Sequence, residues 1–429
     1  MKKKKIIKSI IRTFQQSKLP AYTKRDIKIP LKLNKIISII GVRRCGKTYL
    51  LYQLIDMLLE SVPIENIVFI DFEDERLSLE IMDMDLIIQG FMELYPETNL
   101  AECYFFFDEI QNISGWEKFV RRLFSNYCKN IVITGSNIKM LGSEISTSLR
   151  GRSLAFELLP LSFSEYLRFL SIPVDLYDAQ SKGKIYNAFN QYLHKGGFPE
   201  LTHIHDKEIE RMVLQEYYQV MIFRDLVEHF NIVNIAGLKF FLKRINACAT
   251  KQVSVNQIFN EMKSSGYKIS KNTLYDFLDH IESIFFAKLL KKYSHKITTQ
   301  ELGVKKVYII DNGLMNAVIF KFSDDLGKSM EQIVYWELIR RKHEIFFYKN
   351  HFECDFVVTD QDYVIQVAYT MDDDSTRKRE IKGIIETCKR LQMKQGIILT
   401  YDEEDQLSEN SIDITIQPVI NFLLTEEGA

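Results

Sequence analysis

The stretch Lys35-Ile-Ile-Ser-Ile-Ile-Gly-Val-Arg-Arg-Cys-Gly-Lys-Thr-Tyr-Leu-Leu51 decides the fold of this chain. Its apolar run, Ile36 to Ile40, is typical of a buried parallel strand. The residues that follow, Gly41 to Thr48, fit the G-x-x-x-x-G-K-[ST] pattern of a phosphate-binding loop. From Tyr49 to Glu60 apolar residues recur at helical spacing, until Pro63 ends the pattern. The sequence therefore predicts the strand, loop and helix that this motif requires.

The loop residues have the chemistry that a bound triphosphate needs. Gly41 and Gly46 let the backbone bend tightly and present its N–H groups to phosphate oxygens. The ammonium of Lys47 can reach the β- and γ-phosphates, and the hydroxyl of Thr48 can ligate Mg²⁺. An ordinary glycine turn is the alternative, but the flanking strand and helix argue against it. We therefore predict ATP and Mg²⁺ as cofactors, with a nucleotide-binding set of Gly41, Val42, Arg43, Arg44, Cys45, Gly46, Lys47, Thr48 and Tyr49.

A second motif, Cys103-Tyr-Phe-Phe-Phe-Asp-Glu-Ile-Gln111, has large apolar residues that run directly into two acids. This is the Walker B arrangement. Asp108, at the end of the predicted strand, can hold a water molecule on the Mg²⁺ bound by Thr48. Glu109 can orient and polarise the attacking water, which makes it the candidate catalytic base. The alternative is an exposed strand end with solvated acids, which is less compatible with a phosphate loop some 60 residues earlier.

Two later segments supply further candidates for the site. The apolar run from Asn130 ends in small polar residues, and Ser136 or Asn137 would sense the γ-phosphate in a nucleotide site. A plain strand-to-loop turn is the alternative. Arg150 and Arg152 then offer two guanidinium groups, and a planar cation suits the charge that develops in phosphoryl transfer. A structural ion pair explains them nearly as well.

Composition excludes several classes of protein. The chain has 429 residues, of which 46% are apolar and 26% charged, as expected of a soluble globular protein with several domains. A net charge of −1 argues against a basic nucleic-acid coat. The six cysteines contain no C-x-x-C pair, which argues against disulfides and a zinc site. The scattered cysteines indicate reduced thiols, so we expect a cytoplasmic protein. No apolar run reaches transmembrane length, so we expect no membrane partner.

Together these motifs resemble one family of proteins. They are similar to the motifs of prokaryotic AAA-type ATPases. The motifs concerned are the phosphate loop, Phe-Phe-Phe-Asp-Glu-Ile-Gln111, Ile-Thr-Gly-Ser136, and Gly-Arg152 followed by Leu-Leu-Pro-Leu-Ser-Phe-Ser-Glu-Tyr166. Those proteins carry a winged-helix segment and a restriction-endonuclease-like C-terminal domain. The resemblance implies that Asp108 and Glu109 hold the Walker B and catalytic positions, and that Arg152 is the arginine before the domain exit. It carries over roles for Gln111 and Ser136 as well.

The expected architecture is α/β in class, a P-loop NTPase with an AAA-like parallel sheet followed by further modules. We predict an ATPase domain over residues 1–160 and a helical lid or connector over 161–235. A winged-helix domain over 236–310 and an α/β restriction-endonuclease-like domain over 311–429 would follow. The turn Gly196-Gly-Phe-Pro-Glu200 interrupts the helical pattern and resembles an element of the same family.

The predicted winged helix leaves DNA binding open. A helix-turn-helix layout is indicated by an amphipathic segment to Lys263, a glycine-containing turn and a helix capped by Ser270. The candidate DNA-contacting residues are Lys271, Asn272, Thr273 and Tyr275, with Lys288, Lys291, Lys292, Lys296, Lys305 and Lys306 to bind phosphates. Asp276 and Asp279 on the same helix would repel DNA, and winged helices also serve only for packing.

The C-terminal domain resembles the PD-(D/E)XK nuclease core but departs from it at one position. Glu331 and Asp355 match the first two acidic positions of that core. The third element, E-x-K in active enzymes, here reads Gln366-Val-Ala368. Glutamine is a weaker Mg²⁺ ligand than glutamate, and Ala368 supplies no cation to steady the attacking hydroxide. We therefore expect a folded module without nuclease activity.

The favoured hypothesis is a Mg²⁺-dependent, ATP-hydrolysing AAA-type protein. In it Lys47, Glu109, Ser136 and Arg152 take part in catalysis, and Thr48 and Asp108 hold the metal. Its nucleotide state would control the winged-helix and nuclease-like modules. The alternative is a DNA-binding regulator that uses ATP only as a switch. Double-stranded DNA and a second copy of the chain are the candidate macromolecular partners.

Overall fold

The computed structural model describes residues 2–136, 149, 151–318 and 325–425. The chain forms two compact units. Unit 1 spans residues 1–159 with the short segment 283–285, and unit 2 spans residues 160–282 and 286–429. Asn137 and Arg150 lie outside the described residues. Among those that are described, no helix is both long and apolar enough to span a bilayer.

Unit 1 alternates helices and strands. Its helices are α1 (Lys2–Gln16), α2 (Lys47–Leu59), α3 (Asp85–Leu94) and α4 (Trp116–Asn126). Its strands are β1 (Ile36–Ile40), β2 (Ile67–Asp71), β3 (Tyr104–Asp108), β4 (Asn130–Gly135) and β5 (Ser153–Glu157). Single 3₁₀ turns are formed by Ile64–Asn66, Ile81–Asp83, Leu100–Glu102 and Ile110–Asn112.

The strands of unit 1 form one parallel sheet in the order β2-β3-β4-β1-β5. Every residue of β1 and β3 is buried, because helices cover both faces of a parallel sheet. The apolar runs in the sequence are the direct consequence. The predicted parallel α/β sheet is therefore confirmed, and its order is that of an AAA-like P-loop fold.

Parallel pairing brings the carboxyl ends of the strands to one edge of the sheet. Asp71 at the end of β2 lies in register with Asp108 at the end of β3. The last residue of β1, Ile40, pairs with Gly135 of β4. In open α/β sheets this edge is where ligands bind. The phosphate loop and the Walker B acids consequently meet there.

Unit 2 contains both helices and strands, and its helices are described first. The helices up to residue 283 are α5 (Phe163–Phe169), α6 (Ala179–Lys195), α7 (Lys207–Val220), α8 (Ile235–Ala247), α9 (Val255–Ser264) and α10 (Lys271–Ser283). The later helices are α11 (Ile297–Leu302), α12 (Asn312–Val318), α13 (Leu326–Arg340), α14 (Asp374–Leu391) and α15 (Val419–Leu424). A 3₁₀ segment, Pro199–His203, follows α6, and a π-helical segment, Met221–Glu228, continues α7.

The strands of unit 2 form two sheets. Strands β6 (Gln252–Val253), β7 (Ala287–Lys291) and β8 (Lys305–Ile309) pair antiparallel in the order β6-β8-β7. The second sheet has the order β13-β14-β12-β11-β10-β9. Its strands are β9 (Ile345–Lys349), β10 (Glu353–Val358), β11 (Tyr363–Val367), β12 (Gln395–Thr400), β13 (Asp405–Glu409) and β14 (Ile412–Pro418). The predicted division of residues 161–429 into three domains stays a prediction.

The turn after α6 is fixed by a residue far along the chain. The amide of Gly197 donates to Oδ2 of Asp311 at 2.6 Å, and the amide of Leu314 donates to Oδ1 at 3.2 Å. Burial raises the pKa of the Asp311 carboxyl to about 6, although these backbone donors lower it in part. A Cβ atom on Gly196 would lie 2.1 Å from Asp311 Oδ1. Gly196 is therefore needed for close approach to this carboxylate.

Replacement of Gly196 by alanine tests this packing. Gly196 has φ 74° and ψ −160°, a conformation that only glycine adopts readily. Strain and the steric clash together should lower the free energy of unfolding by about 3 kcal/mol or more. Chemical denaturation measures the change.

Gly183→Ala is the matched control. Gly183 lies within α6, and a Cβ atom there would meet nothing within 4 Å. Since alanine favours a helix interior over glycine, this variant should be stabilised by about 0.5–1 kcal/mol. Equal effects of the two substitutions would contradict the role given to Asp311.

Candidate nucleotide-binding site

The phosphate loop joins β1 to α2 in a conformation that depends on its two glycines. Gly46 has φ 97°, in the left-handed region. A Cβ atom on Gly41 would lie only 2.2 Å from the carbonyl oxygen of Leu158. The side chains of Val42 and Cys45 are buried, so only their backbone groups are available to a ligand. The amino end of α2 adds partial positive charge that suits an anion.

Arg25 supports the loop from behind, and sequence reasoning did not find it. Its guanidinium donates to the carbonyl of Cys45 at 2.8 Å and to that of Leu159 at 2.7 Å. Its backbone amide and carbonyl pair with the side-chain amide of Gln53, at 2.8 and 3.1 Å. The residue precedes the motif in a polar stretch with no pattern of its own. Only the folded contacts reveal its role in positioning the loop.

Lys47 and Glu109 form a buried ion pair. Their side chains are 4% and 11% exposed, and Lys47 Nζ lies 3.1 Å from Glu109 Oε1. Lys47 also donates to the carbonyls of Gly41 and Val42, at 3.2 and 3.4 Å. Burial alone would raise the pKa of Glu109, but the Lys47 ammonium and the Arg43 guanidinium outweigh it and lower this pKa. Glu109 is therefore held as a carboxylate.

Asp108 is bound by two hydroxyl groups. Thr48 Oγ1 donates to Oδ2 of Asp108 at 2.6 Å, and Thr134 Oγ1 donates to Oδ1. Burial raises the pKa of Asp108 to about 6, even though both hydroxyls favour the carboxylate. Sequence reasoning missed Thr134, which lies on the neighbouring strand and also accepts from the backbone amide of Glu109 at 2.8 Å.

Gln111 links the catalytic candidate to the sensor candidate. Glu109 itself has φ 48°, a left-handed backbone conformation that turns the chain sharply after β3. Gln111 Nε2 donates to Oε2 of Glu109 and lies 3.4 Å from Oγ of Ser136. Ser136 directly follows β4 and is 5% exposed. The structure therefore brings Glu109, Gln111 and Ser136 together, as the sequence suggested.

Arg152 lies apart from this cluster, and its part in catalysis stays a prediction. Its carbonyl accepts from the amide of Ile36, and Nη1 donates to Ser125 Oγ at 3.1 Å. Ile36 begins β1, whereas the phosphate loop leaves the other end of this strand, about 13 Å away at the usual rise per residue. Arg152 therefore lies at the opposite end of β1 from the phosphate loop.

The residues present fit a bound Mg²⁺–nucleotide. Thr48 and Asp108 offer a hydroxyl and a carboxylate that already touch, and Mg²⁺ prefers such hard oxygen ligands. Tyr49 is 52% exposed at the start of α2, next to the loop. Arg43, on the loop itself, pairs with Glu73 at 3.3 Å. The arrangement provides cations and N–H groups for phosphates, with acids beside them for metal and water.

Comparison with known proteins defines the class first. Residues 33–167 match the family described as an AAA domain, and residues 186–325 match a domain of unknown function. The first match covers the parallel sheet and the site, so the chain contains an AAA-type P-loop domain. Such a fold implies nucleotide binding, typically with Mg²⁺.

Two relatives extend over nearly the whole chain. An uncharacterized protein of Methanocaldococcus jannaschii, MJ1544, is 36% identical over 390 residues, which are 89% of this chain and 85% of that one. An uncharacterized protein of Haemophilus influenzae is 28% identical over 398 residues, 91% and 94% of the two chains. This protein belongs to the same family as the M. jannaschii protein.

Solved structures are more distant. Cdc6p from Pyrobaculum aerophilum has a TM-score of 0.26 at 12% identity, with 70% of this chain and 88% of that chain covered. The Aeropyrum pernix Orc1 protein in complex with DNA has a TM-score of 0.30 at 9% identity, with coverage of 74% and 91%. Similarity this low supports no inference about function.

The raised pKa of Asp108 predicts how metal affinity depends on pH. Below pH 6 the carboxyl binds a proton, and Mg²⁺ has to displace it. The affinity for Mg²⁺ in the presence of ATP should therefore fall about tenfold for each pH unit below 6. Calorimetric titration from pH 7.5 to pH 5 measures the profile.

Asp108→Asn serves as the control because the γ-phosphate of ATP titrates in a nearby range. The variant removes the Asp108 step and keeps that of the ligand. Its profile should be shallower than that of the wild type. Parallel profiles would show that Asp108 does not titrate with metal binding.

Proposed function

We propose that this protein hydrolyses ATP with the help of Mg²⁺. One observation carries the proposal: Lys47 with Glu109, and Thr48 with Asp108, form two contacts of 3.1 and 2.6 Å at one edge of the sheet. These are the cation, base and metal ligands that phosphoryl transfer requires. Gln111 and Ser136 lie beside them.

In the proposed reaction, the triphosphate takes over Lys47 from Glu109 and from the loop carbonyls. The backbone N–H groups of the loop hold the remaining phosphate oxygens. Mg²⁺, held by Thr48 and oriented through Asp108, would neutralise charge on the β- and γ-phosphates. Glu109, released from Lys47, then accepts a proton from the attacking water. Gln111 holds the carboxylate of Glu109 on the side of the site where Ser136 lies.

Glu109→Gln tests the proposed base. The amide keeps the size of the side chain but cannot accept the proton, so turnover should fall about 100-fold or more. ATP affinity should survive, because Lys47, Thr48 and the loop amides are unchanged. Phosphate release and nucleotide binding are measured on the same preparation.

Glu97→Gln is the control for the loss of one acid in unit 1. Glu97 is exposed and lies outside the site, so its substitution should leave both measurements unchanged. Undiminished turnover in Glu109→Gln would remove this residue from its assigned role. Loss of ATP binding together with turnover would show that Glu109 supports the loop instead.

Arg152 enters the proposal only through a second copy of the chain. Arg152 lies at the other end of β1 from the phosphate loop of its own chain. We therefore propose that it contacts the phosphate of a nucleotide bound by a neighbouring subunit. The homo-oligomer is thus a part of the proposed mechanism. The solution mass of the purified protein with and without ATP tests it.

We further propose that residues 236–310 form a winged helix and residues 311–429 a nuclease-like module, under the control of nucleotide state. The first is supported by the order α8, β6, α9, α10, β7, β8 and by the antiparallel sheet β6-β8-β7. Ser270 Oγ accepts from the amide of Thr273, in agreement with the predicted cap. The second is supported by Glu331 on α13 and Asp355 on β10, which lie on either side of one lysine.

Duplex DNA binding is the second candidate function, and exposure of the α10 residues favours it. Lys271 and Asn272 are exposed, and Tyr275 is 53% exposed. The charge around them is smaller than the sequence indicated. Lys291 pairs with Glu301 at 2.7 Å. Lys306 is buried and is not available to a phosphate.

Replacement of Lys271 and Lys292 by alanine tests this candidate. If both side chains contact phosphates, the double variant should bind duplex DNA more weakly and lower the salt dependence of log K by about 2. Fluorescence anisotropy at several salt concentrations measures both. The control replaces Lys18 and Lys378, which are exposed elsewhere. Binding that is absent or independent of salt in the wild type would exclude this function.

A further inference from the structure

One buried lysine of unit 2 lies among acids of two other elements. Lys306, on β8, is 2% exposed. Its Nζ lies 2.8 Å from Asp355 Oδ1 and 3.2 Å from Glu331 Oε1. The more exposed Glu353 approaches to 3.4 Å. One ammonium group thus joins β8, α13 and β10.

The carboxylates around Lys306 have few other partners. The amide of Val367 donates to Asp355 Oδ2 at 3.1 Å, and the hydroxyl of Tyr308 donates to Glu331 Oε1 at 2.7 Å. Burial and the neighbouring Asp355 raise the pKa of Glu331 to about 8, although Lys306 acts in the opposite direction. Two buried acids this close are costly unless a cation lies between them.

The same two acids are those that the nuclease resemblance assigns to a metal ion. In this chain the third acidic position is Gln366, and its Oε1 accepts from the backbone amide of Asp355 at 3.3 Å. The side chain of Gln366 is therefore directed at the backbone of β10. The cation that Ala368 does not supply comes from another strand. Sequence reasoning placed Lys306 among the phosphate-binding lysines, and burial overturns this.

We infer that the ammonium of Lys306 is a built-in cation that occupies the acidic pair in place of a divalent metal. It thereby fastens β8 to the nuclease-like core. Other contacts run along the same strand. Gln332 Oε1 accepts from the amide of Ile309 at 3.0 Å, and Trp336 Nε1 donates to its carbonyl at 2.6 Å. The Tyr308 and Tyr335 rings stack with centroids 3.9 Å apart.

Residues 311–429 thereby serve a task other than cleavage. The winged-helix sheet and the six-stranded sheet share Lys306 as one electrostatic fastener. The inference does not depend on ATP hydrolysis, because each of its residues belongs to unit 2.

Lys306→Met in the full chain is the test, with thermal melting followed in EDTA and in Mn²⁺ without nucleotide. Loss of the ammonium leaves the buried Asp355 and the partly buried Glu331 without their shared cation, so the melting temperature should fall by about 5 °C or more. Mn²⁺ should then enter the vacated position and reverse most of this fall. Wild-type protein should show no shift with Mn²⁺.

Lys305→Met is the matched control, since it removes the same charge from the neighbouring position of β8, where the side chain is partly exposed. It should melt close to the wild type and show no response to Mn²⁺. A Lys306→Met/Glu331→Gln double variant should recover stability and lose the Mn²⁺ response, because one acid has been neutralised. If the single variant does not fold, a folded double variant still shows that the uncompensated charge caused the loss of stability.

Three results would overturn the inference. The first is a Lys306→Met protein that melts like Lys305→Met. The second is a double variant no more stable than the single one, which would show that packing and not charge is at stake. The third is Mn²⁺ stabilisation or metal-dependent DNA cleavage by the wild type that Asp355→Asn abolishes. That result would make Lys306 a partner of a working metal site.

Discussion

The interior of unit 1 contains a full charge of each sign, Lys47 and Glu109, and the rest of the site depends on how they neutralise each other. A buried ammonium without an anion would be expensive, and so would a buried carboxylate without a cation. In the structure each relieves the other at 3.1 Å. In the proposed reaction, a phosphate that binds the loop replaces Glu109 as the anion for Lys47. Nucleotide binding then also frees the carboxylate of Glu109.

Unit 2 also contains a buried lysine beside carboxylates, but its partners are held differently. Lys306 also lies between buried acids, but both of its principal partners are fixed on a helix and a strand. Lys306 lies within β8, whereas Lys47 directly follows the phosphate loop. In the two proposals, Lys47 changes partners when a nucleotide binds, and Lys306 keeps its partners.

Much of unit 1 could be predicted because its central strands are buried on both faces and read as apolar runs, as Phe105 to Phe107 does. The strand β5, by contrast, is mainly exposed or half-buried, and β13 is likewise polar, so neither was predicted. Arg25, Thr134 and Lys306 were missed or misplaced for another reason. Each works through contacts with residues 20 or more positions away, such as Cys45, Asp108 and Asp355. Local patterns contain no record of these contacts.

The pairing of Gly197 with Asp311 spans 114 residues, and this separation has a consequence for biosynthesis. A ribosome adds about 5–20 residues per second, so Asp311 is made roughly 6–23 s after the turn that it stabilises. During that interval the turn after α6 has no carboxylate to receive its amides. The turn can therefore gain this hydrogen bond only after the later part of the chain has been made.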